Sequence, residues 1–269
     1  MNQAERRLFL IEALLHERPS CRRQEIPQDA ERQKILLRGL MNVRAPRPIS
    51  DEFLRVQDAY LQQTLLDAGI TRAEDLTPVS GELYLWQGDI TRLQCGAIVN
   101  AANSGMTGCY VPNHACIDNC IHTYAGVQLQ LDCAEQMRRQ GYEEPSGQAK
   151  ITKAYNLPCE YVLHTVGPIV SGAVTPEDEQ LLASCYRSCL ELAEKHHVES
   201  IAFCCISTGV FHFPNRRAAE IAVETVRKYK AASGSRMKVI FNVFKDLDRS
   251  IYEQLLTDAC VPADGASGG

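Results

Sequence analysis

No apolar run in this chain approaches the ~20 residues a membrane helix needs, so no membrane partner is expected. Basic charge is also scarce. Lys and Arg number 28 against 33 Asp and Glu, a formal net charge of −5. That balance lacks the positive footprint of a nucleic-acid binder and excludes a long polyanion as the expected ligand. A small anion stays open, because backbone N–H groups bind phosphate without any lysine. No secretory signal is visible: "MNQAERRLFLIEALLHERP" is interrupted by Glu5 and Glu12 and lacks a small-residue cleavage site. No internal repeat is present.

What the chain does have is apolar content, 45% over 269 residues, and 12 cysteines. The length suits one large α/β domain with an extension, or two small domains. So aliphatic a core needs no disulfide scaffold. A reducing cytoplasm is the simplest setting, and there clustered cysteines point to metal or redox chemistry.

Residues 1–80 read as a helical extension. Leu8, Ile11, Leu14 and Leu15 recur at helical spacing, as do Ile35, Leu36, Leu40 and Met41. After "RAPRPIS", Ser50 is a good N-cap for a helix carrying Phe53, Val56, Tyr60 and Leu61. From Glu82 the rhythm changes. "LYLWQGDIT", "GAIVNAAN", "YVLHTVGP", "SIAFCCIST" and "KVIFNVF" are continuous apolar runs, as expected of strands covered on both faces. Helices are expected from Ile117 to about Gln140, Glu179 to about Lys195, and Asn215 (as cap) to about Lys230. The alternation predicts an α/β three-layer α/β/α sandwich with a largely parallel or mixed central sheet over 81–258. The tail, 259–269, is expected to be disordered. Ligands of such sheets sit beyond the carboxyl ends of the strands.

Several polar residues fall at those ends, each with an ordinary alternative. Between Met106 and His122, Cys109, His114 and Cys116 form a C-x4-H-x-C pattern, two thiolates and an imidazole that suit zinc. The alternative is buried cysteines beside an exposed histidine. Cys120 and His122 could supply a fourth ligand, but a helix starting at Ile117 would point them away from the turn. Asp118 is either a first-turn acid favoured by the helix dipole or a group that orients a water or a ribose hydroxyl. Asn100 and Asn103 are turn formers or hydrogen-bonding amides. "ISTGVF" ahead of a helix exposes N–H groups to an anion such as pyrophosphate. Asp89 is a turn aspartate or an acceptor for an exocyclic amine. Phe244 is core or a stacking surface, with core favoured.

The ordered run "QGDIT", "AIVNAANSGMTG", "IDNCIHTYAG", "YVLHTVGP", "ISTGVFHFP", "AAEIAVETV" resembles the macrodomain family from Leu83 to Leu256. That resemblance implies a macrodomain fold binding ADP-ribose. Asp89 and Ile90 would address the adenine, with Phe244 stacking on the base. Ser207, Thr208, Gly209, Val210 and Phe211 would wrap the diphosphate, and Asn100 and Asn103 would approach the distal ribose. His212 stands where many macrodomains have a small residue. In place of the glycine-rich catalytic loop stands "GCYVPNHAC". This substitution, with "LMNVRAPRPIS" and "QDAYLQ" in the extension, is similar to a zinc-dependent subgroup of bacteria and fungi that removes mono-ADP-ribose from proteins. By that resemblance Cys109, His114 and Cys116 hold one zinc per chain, and Asp118 is catalytic with Asn100 and Asn103. The partner implied is a mono-ADP-ribosylated protein, such as a lipoyl-carrier protein modified by a sirtuin-type transferase. A reader module with structural zinc and a hydrolase of small ADP-ribose esters are the alternatives.

Overall fold

The structure is a computed structural model that describes residues 1–17 and 25–257. The expected disorder of 259–269 lies outside the described residues. Three helices come first: α1 (Gln3–His16), α2 (Ala30–Asn42) and α3 (Asp51–Ala68). Each starts on a side chain that accepts from a first-turn N–H: Asn2, Asp29 and Ser50. Leu10, Ile11, Leu14, Leu37, Phe53 and Leu61 build a core between them. Ile35, expected inside, is 58% exposed, and Leu37 takes the buried place. The helical reading ends at Ala68. Beyond it lie β1 (Thr71–Arg72), paired in parallel with β4 (Leu93–Gln94), and β2 (Pro78–Ser80), which joins the main sheet.

That sheet also contains β3 (Leu83–Gln87), β5 (Ala97–Ala101), β6 (Ala149–Lys153), β7 (Tyr161–Thr165), β8 (Ser200–Phe203) and β9 (Lys238–Val243), in the order β2-β3-β9-β8-β5-β7-β6. The inner five run parallel and both edges antiparallel, which makes the sheet mixed. β8 is buried throughout, as its unbroken apolar run requires. The helices α4 (Ile117–Ala125), α5 (Val127–Gln140), α6 (Pro176–Lys195), α7 (Asn215–Ser233) and α8 (Asp246–Thr257) flank the sheet as the outer layers of an α/β/α sandwich.

Three helix expectations need correction. The helix expected over 117–140 is two, separated by Gly126, whose φ of 95° no helix accommodates. The helix expected from Glu179 begins at Pro176, on a Thr175–Asp178 capping box. Asn215 is the first helical residue rather than the cap. Pro214 holds the cap position without a side-chain bond, and the Asn215 amide donates to Asp248 at 2.6 Å. Among the described residues no helix is long and apolar enough to cross a membrane.

Candidate active site

The carboxyl ends of the five parallel strands share one edge of the sheet, and the polar residues singled out above follow them. β5 delivers Asn100, fully buried, and releases the chain at Asn103. The segment 106–116 then crosses to α4, where Cys116 occupies the N-cap and Asp118 the first turn. Asp118 is only 4% exposed. Asn100 donates an amide N–H to its Oδ1 at 2.8 Å and Asn103 to its Oδ2 at 3.1 Å. Burial pushes the Asp118 carboxyl up, opposed by His122 and by these two amides. Hydrogen bonds to an ionised group contribute roughly 1.5–3 kcal/mol each, so two of them offset much of the cost of burying the charge. Asn100, Asn103 and Asp118 therefore form one rigid unit at the strand ends.

The same unit continues inward. The second Asn100 Nδ2 proton is directed at His164 Nδ1, 3.1 Å away, and His164 Nε2 faces Thr152 Oγ1 at 3.0 Å. Since Nδ1 must accept, the network assigns the His164 proton to Nε2. Burial, with a smaller contribution from His122, lowers the His164 pKa to about 3, so the ring is neutral. The Asn100 Oδ1 is buried without a protein partner. It is an acceptor left free for a ligand.

Cys109, His114 and Cys116 are brought together, their donor atoms all within 4.8 Å of one another. The Cys109 sulfur lies 3.4 Å from His114 Nδ1. A tetrahedral zinc with Zn–S near 2.3 Å and Zn–N near 2.0–2.1 Å separates S and N donors by about 3.6 Å. Two sulfurs and one imidazole, half-buried and this close, fit that ion. Burial, opposed by the Asn119 N–H and reinforced by the neighbouring Cys109, pushes the Cys116 thiol up to about 12. A dication held by these residues would reverse that preference. Asn119 ties the loop down from inside: its amide donates to the carbonyls of Cys109 and Val111, both at 3.1 Å.

Neither of the extra ligands considered joins this trio. Cys120 accepts from Arg38 at 3.4 Å. His122 turns back toward Asp118, with Nε2 at 3.6 Å from Oδ1, and lies with Cys133 and His164 in a second close group. In that group the His164 ring is already engaged on both sides, by Asn100 at Nδ1 and by Thr152 at Nε2.

The remaining predicted residues line the strand ends. Asp89 caps a short turn, with Oδ1 accepting from Thr91 N at 3.0 Å and Thr91 Oγ1 at 2.6 Å. Ile90 is 2% exposed beneath it. Ser207 has φ of 64°, and its buried hydroxyl has no protein partner. Thr208 anchors the loop through its hydroxyl to Cys205 O at 3.0 Å. Among the described residues, the N–H groups of Gly209, Val210 and Phe211 donate to no protein acceptor. Phe244, for which the residues alone favoured the core over a stacking surface, is 75% exposed. Residues that sequence reasoning passed over are His164, inside an apolar strand run, and Asn119, beside Asp118. Their only sequence signal is a polar residue where a buried one was due.

The Macro domain family pattern matches residues 99–222. The chain is 60% identical over 261 residues to a protein-ADP-ribose hydrolase of Treponema medium, covering 96% of this chain and 100% of that one. It is 51% identical over 248 residues to a protein-ADP-ribose hydrolase of Staphylococcus aureus (strain MSSA476), covering 91% and 93%. Among solved structures it resembles the Oceanobacillus iheyensis macrodomain with ADP, with a TM-score of 0.61 and 35% identity over 68% of this chain and 95% of that one.

Proposed function

Because the chain belongs to the Macro domain family, we propose that it is a protein-ADP-ribose hydrolase that releases mono-ADP-ribose from modified side chains. The observation that carries this reading is the buried Asp118 carboxylate, clamped by Asn100 and Asn103 on the helix that Cys116 caps. In our reading the diphosphate rests on the N–H groups of Gly209, Val210 and Phe211, with Ser207 and Thr208 shaping that loop. Asp89 and Ile90 take the adenine, and Phe244 covers the base. Asn100 Oδ1 accepts from a distal-ribose hydroxyl, and Asn103 keeps Asp118 aimed at C1″. Asp118 orients a water, or takes its proton, as the water oxygen bonds to C1″. The C1″–O bond to an Asp or Glu ester breaks in the same step, leaving the protein carboxylate and free ADP-ribose, with the water's proton on Asp118 or on the departing carboxylate. Cys109, His114 and Cys116 would hold a zinc that supplies substrate positioning and polarisation of a nearby oxygen; two thiolates temper its acidity.

The unit carrying this chemistry is the expected 81–258 together with β1 and β2 just upstream, with the helices α1–α3 laid against it, in a reducing, cytoplasmic setting. Among modified proteins, a lipoyl carrier bearing ADP-ribose from a sirtuin-type transferase is the first substrate to try, on the strength of the subgroup resemblance. The test incubates mono-ADP-ribosylated protein with wild type, Asp118→Asn, Cys116→Ala and a chelated sample, reading release and ADP-ribose affinity separately. Asp118→Asn is expected to slow release by roughly 10²- to 10⁴-fold with affinity kept. Full release by that variant excludes the role given to Asp118, and binding without release by wild type makes the chain a reader.

A further inference from the structure

The Cys/His loop does not rest on the α/β body alone. On its other side lies α2, which meets the loop at Arg38, Gly39 and Asn42 and meets the start of α4 as well. Arg38 Nη2 donates to His114 O at 2.8 Å, Asn119 Oδ1 at 3.0 Å and Cys120 Sγ at 3.4 Å. Asn42 Oδ1 accepts from the N–H of Asn113 at 2.9 Å, while its amide donates to Thr123 Oγ1 at 2.9 Å. Thr123 in turn donates to Asn119 O at 2.7 Å. Between these two residues stands Gly39. A Cβ there would come within 3.1 Å of the Asn113 side chain and 3.8 Å of Pro112. Glycine is unfavourable in mid-helix, and this close approach of the loop gives its presence a reason. Asn113 itself is held at φ of 57°, a left-handed turn that puts His114 back beside Cys109.

We propose that α2 is a positioning element of the reaction centre: Arg38, Gly39 and Asn42 grip the 106–116 loop and set the spacing of Cys109, His114 and Cys116. The inference rests on the metal reading given above and deepens it. Arg38 holds the carbonyl of one trio residue, and through Asn119 it shares the side chain that holds the carbonyl of another. Asn42 fixes the turn between Cys109 and His114. A cavity of about 20 Å³ lies at this seam, lined in part by Asn42, Gly108, Cys109, His122 and Gln130. A helix that served only to cover apolar surface would not need its polar residues aimed at loop backbone.

The test uses the full chain with Asn42→Ala, which removes both seam bonds, and Asn42→Asp, which keeps an acceptor for the Asn113 N–H. Arg38→Lys keeps a cation but loses the planar fork, and carries the test if Asn42→Ala does not fold. Three quantities are read: zinc affinity by chelator competition, ADP-ribose affinity by calorimetry, and hydrogen exchange of the 106–116 amides against those of α6. Partners behind metal ligands typically change metal affinity by 10–100-fold when removed. Zinc affinity is expected to fall by that factor in Asn42→Ala and Arg38→Lys and to recover in Asn42→Asp, with ADP-ribose affinity within about twofold of wild type. Unchanged zinc affinity overturns the proposal, even if thermal stability falls. If wild type takes up no zinc, the metal reading fails and exchange alone decides the grip. Faster exchange confined to 106–116 supports it, and unchanged exchange overturns it.

Discussion

Asn100 carries two amide protons, and both are committed: one to Asp118, the other to His164. The direction in which its oxygen points is therefore set by a histidine with no path to the substrate. Replacing His164 with Leu removes the acceptor and lets the amide turn, so kcat is expected to fall on the order of 10- to 100-fold with KM little changed. His164→Asn puts an oxygen close to where Nδ1 stood and should recover most of that loss; equal kcat in the two variants would refute the role. Steady-state kinetics on one ADP-ribosylated substrate decides it. The same ring also bears on acid stability. Its folded pKa of about 3 lies below the ordinary ~6.5, so between these values the unfolded chain binds the extra proton. Stability from this group is complete above pH ~6.5 and is lost as pH falls toward 3, by up to about 1.4 kcal/mol per pH unit. Acid titration of His164→Asn should show a shallower decline than wild type across that window.

At the scale of elements, the break between α4 and α5 is the feature most exposed to a single substitution. Gly126 has φ of 95° and ψ of 174°, a region essentially reserved for glycine, and an added Cβ would lie 2.6 Å from Gln57 Nε2. Gln57 cannot simply move aside. Its Oε1 accepts from Val127 N at 2.9 Å, serving as the cap that α5 lacks. Gly126→Ala is expected to cost roughly 2–3 kcal/mol, which calorimetry would read as a midpoint lower by about 4–10 °C. This break was hidden in the sequence because "TYAGVQL" keeps a helical apolar rhythm through the glycine. β5, β7, β8 and β9 were legible because strands buried on both faces leave unbroken apolar runs. β6 was not, since "AKITK" is an edge strand whose lysines interrupt any run. β2 begins on a proline and is equally faint. At the site, Asp118 and the asparagines could be found from strand ends and a helix start. The Asn100–His164 contact could not, because it depends on the β5–β7 register that sets those two residues opposite each other.

At the scale of the whole molecule, the described residues hold two separate apolar clusters. One contains the sheet strands and the helices α4–α8 packed on them, and one is built by α1–α3 with Val127 contributed from α5. Cys109, His114 and Cys116 belong to neither. Chelation should therefore leave far-UV circular dichroism unchanged and unfolding cooperative, with the midpoint lowered only by the lost binding energy, about 4 kcal/mol at a thousandfold excess over Kd. Collapse of the spectrum on chelation would instead make the metal a folding requirement. The partition has a practical corollary for anyone sorting variants of this chain. Damage confined to the polar joint between the clusters can silence turnover while each half keeps its own interior, so a screen for folded secondary structure will pass molecules that an activity screen rejects.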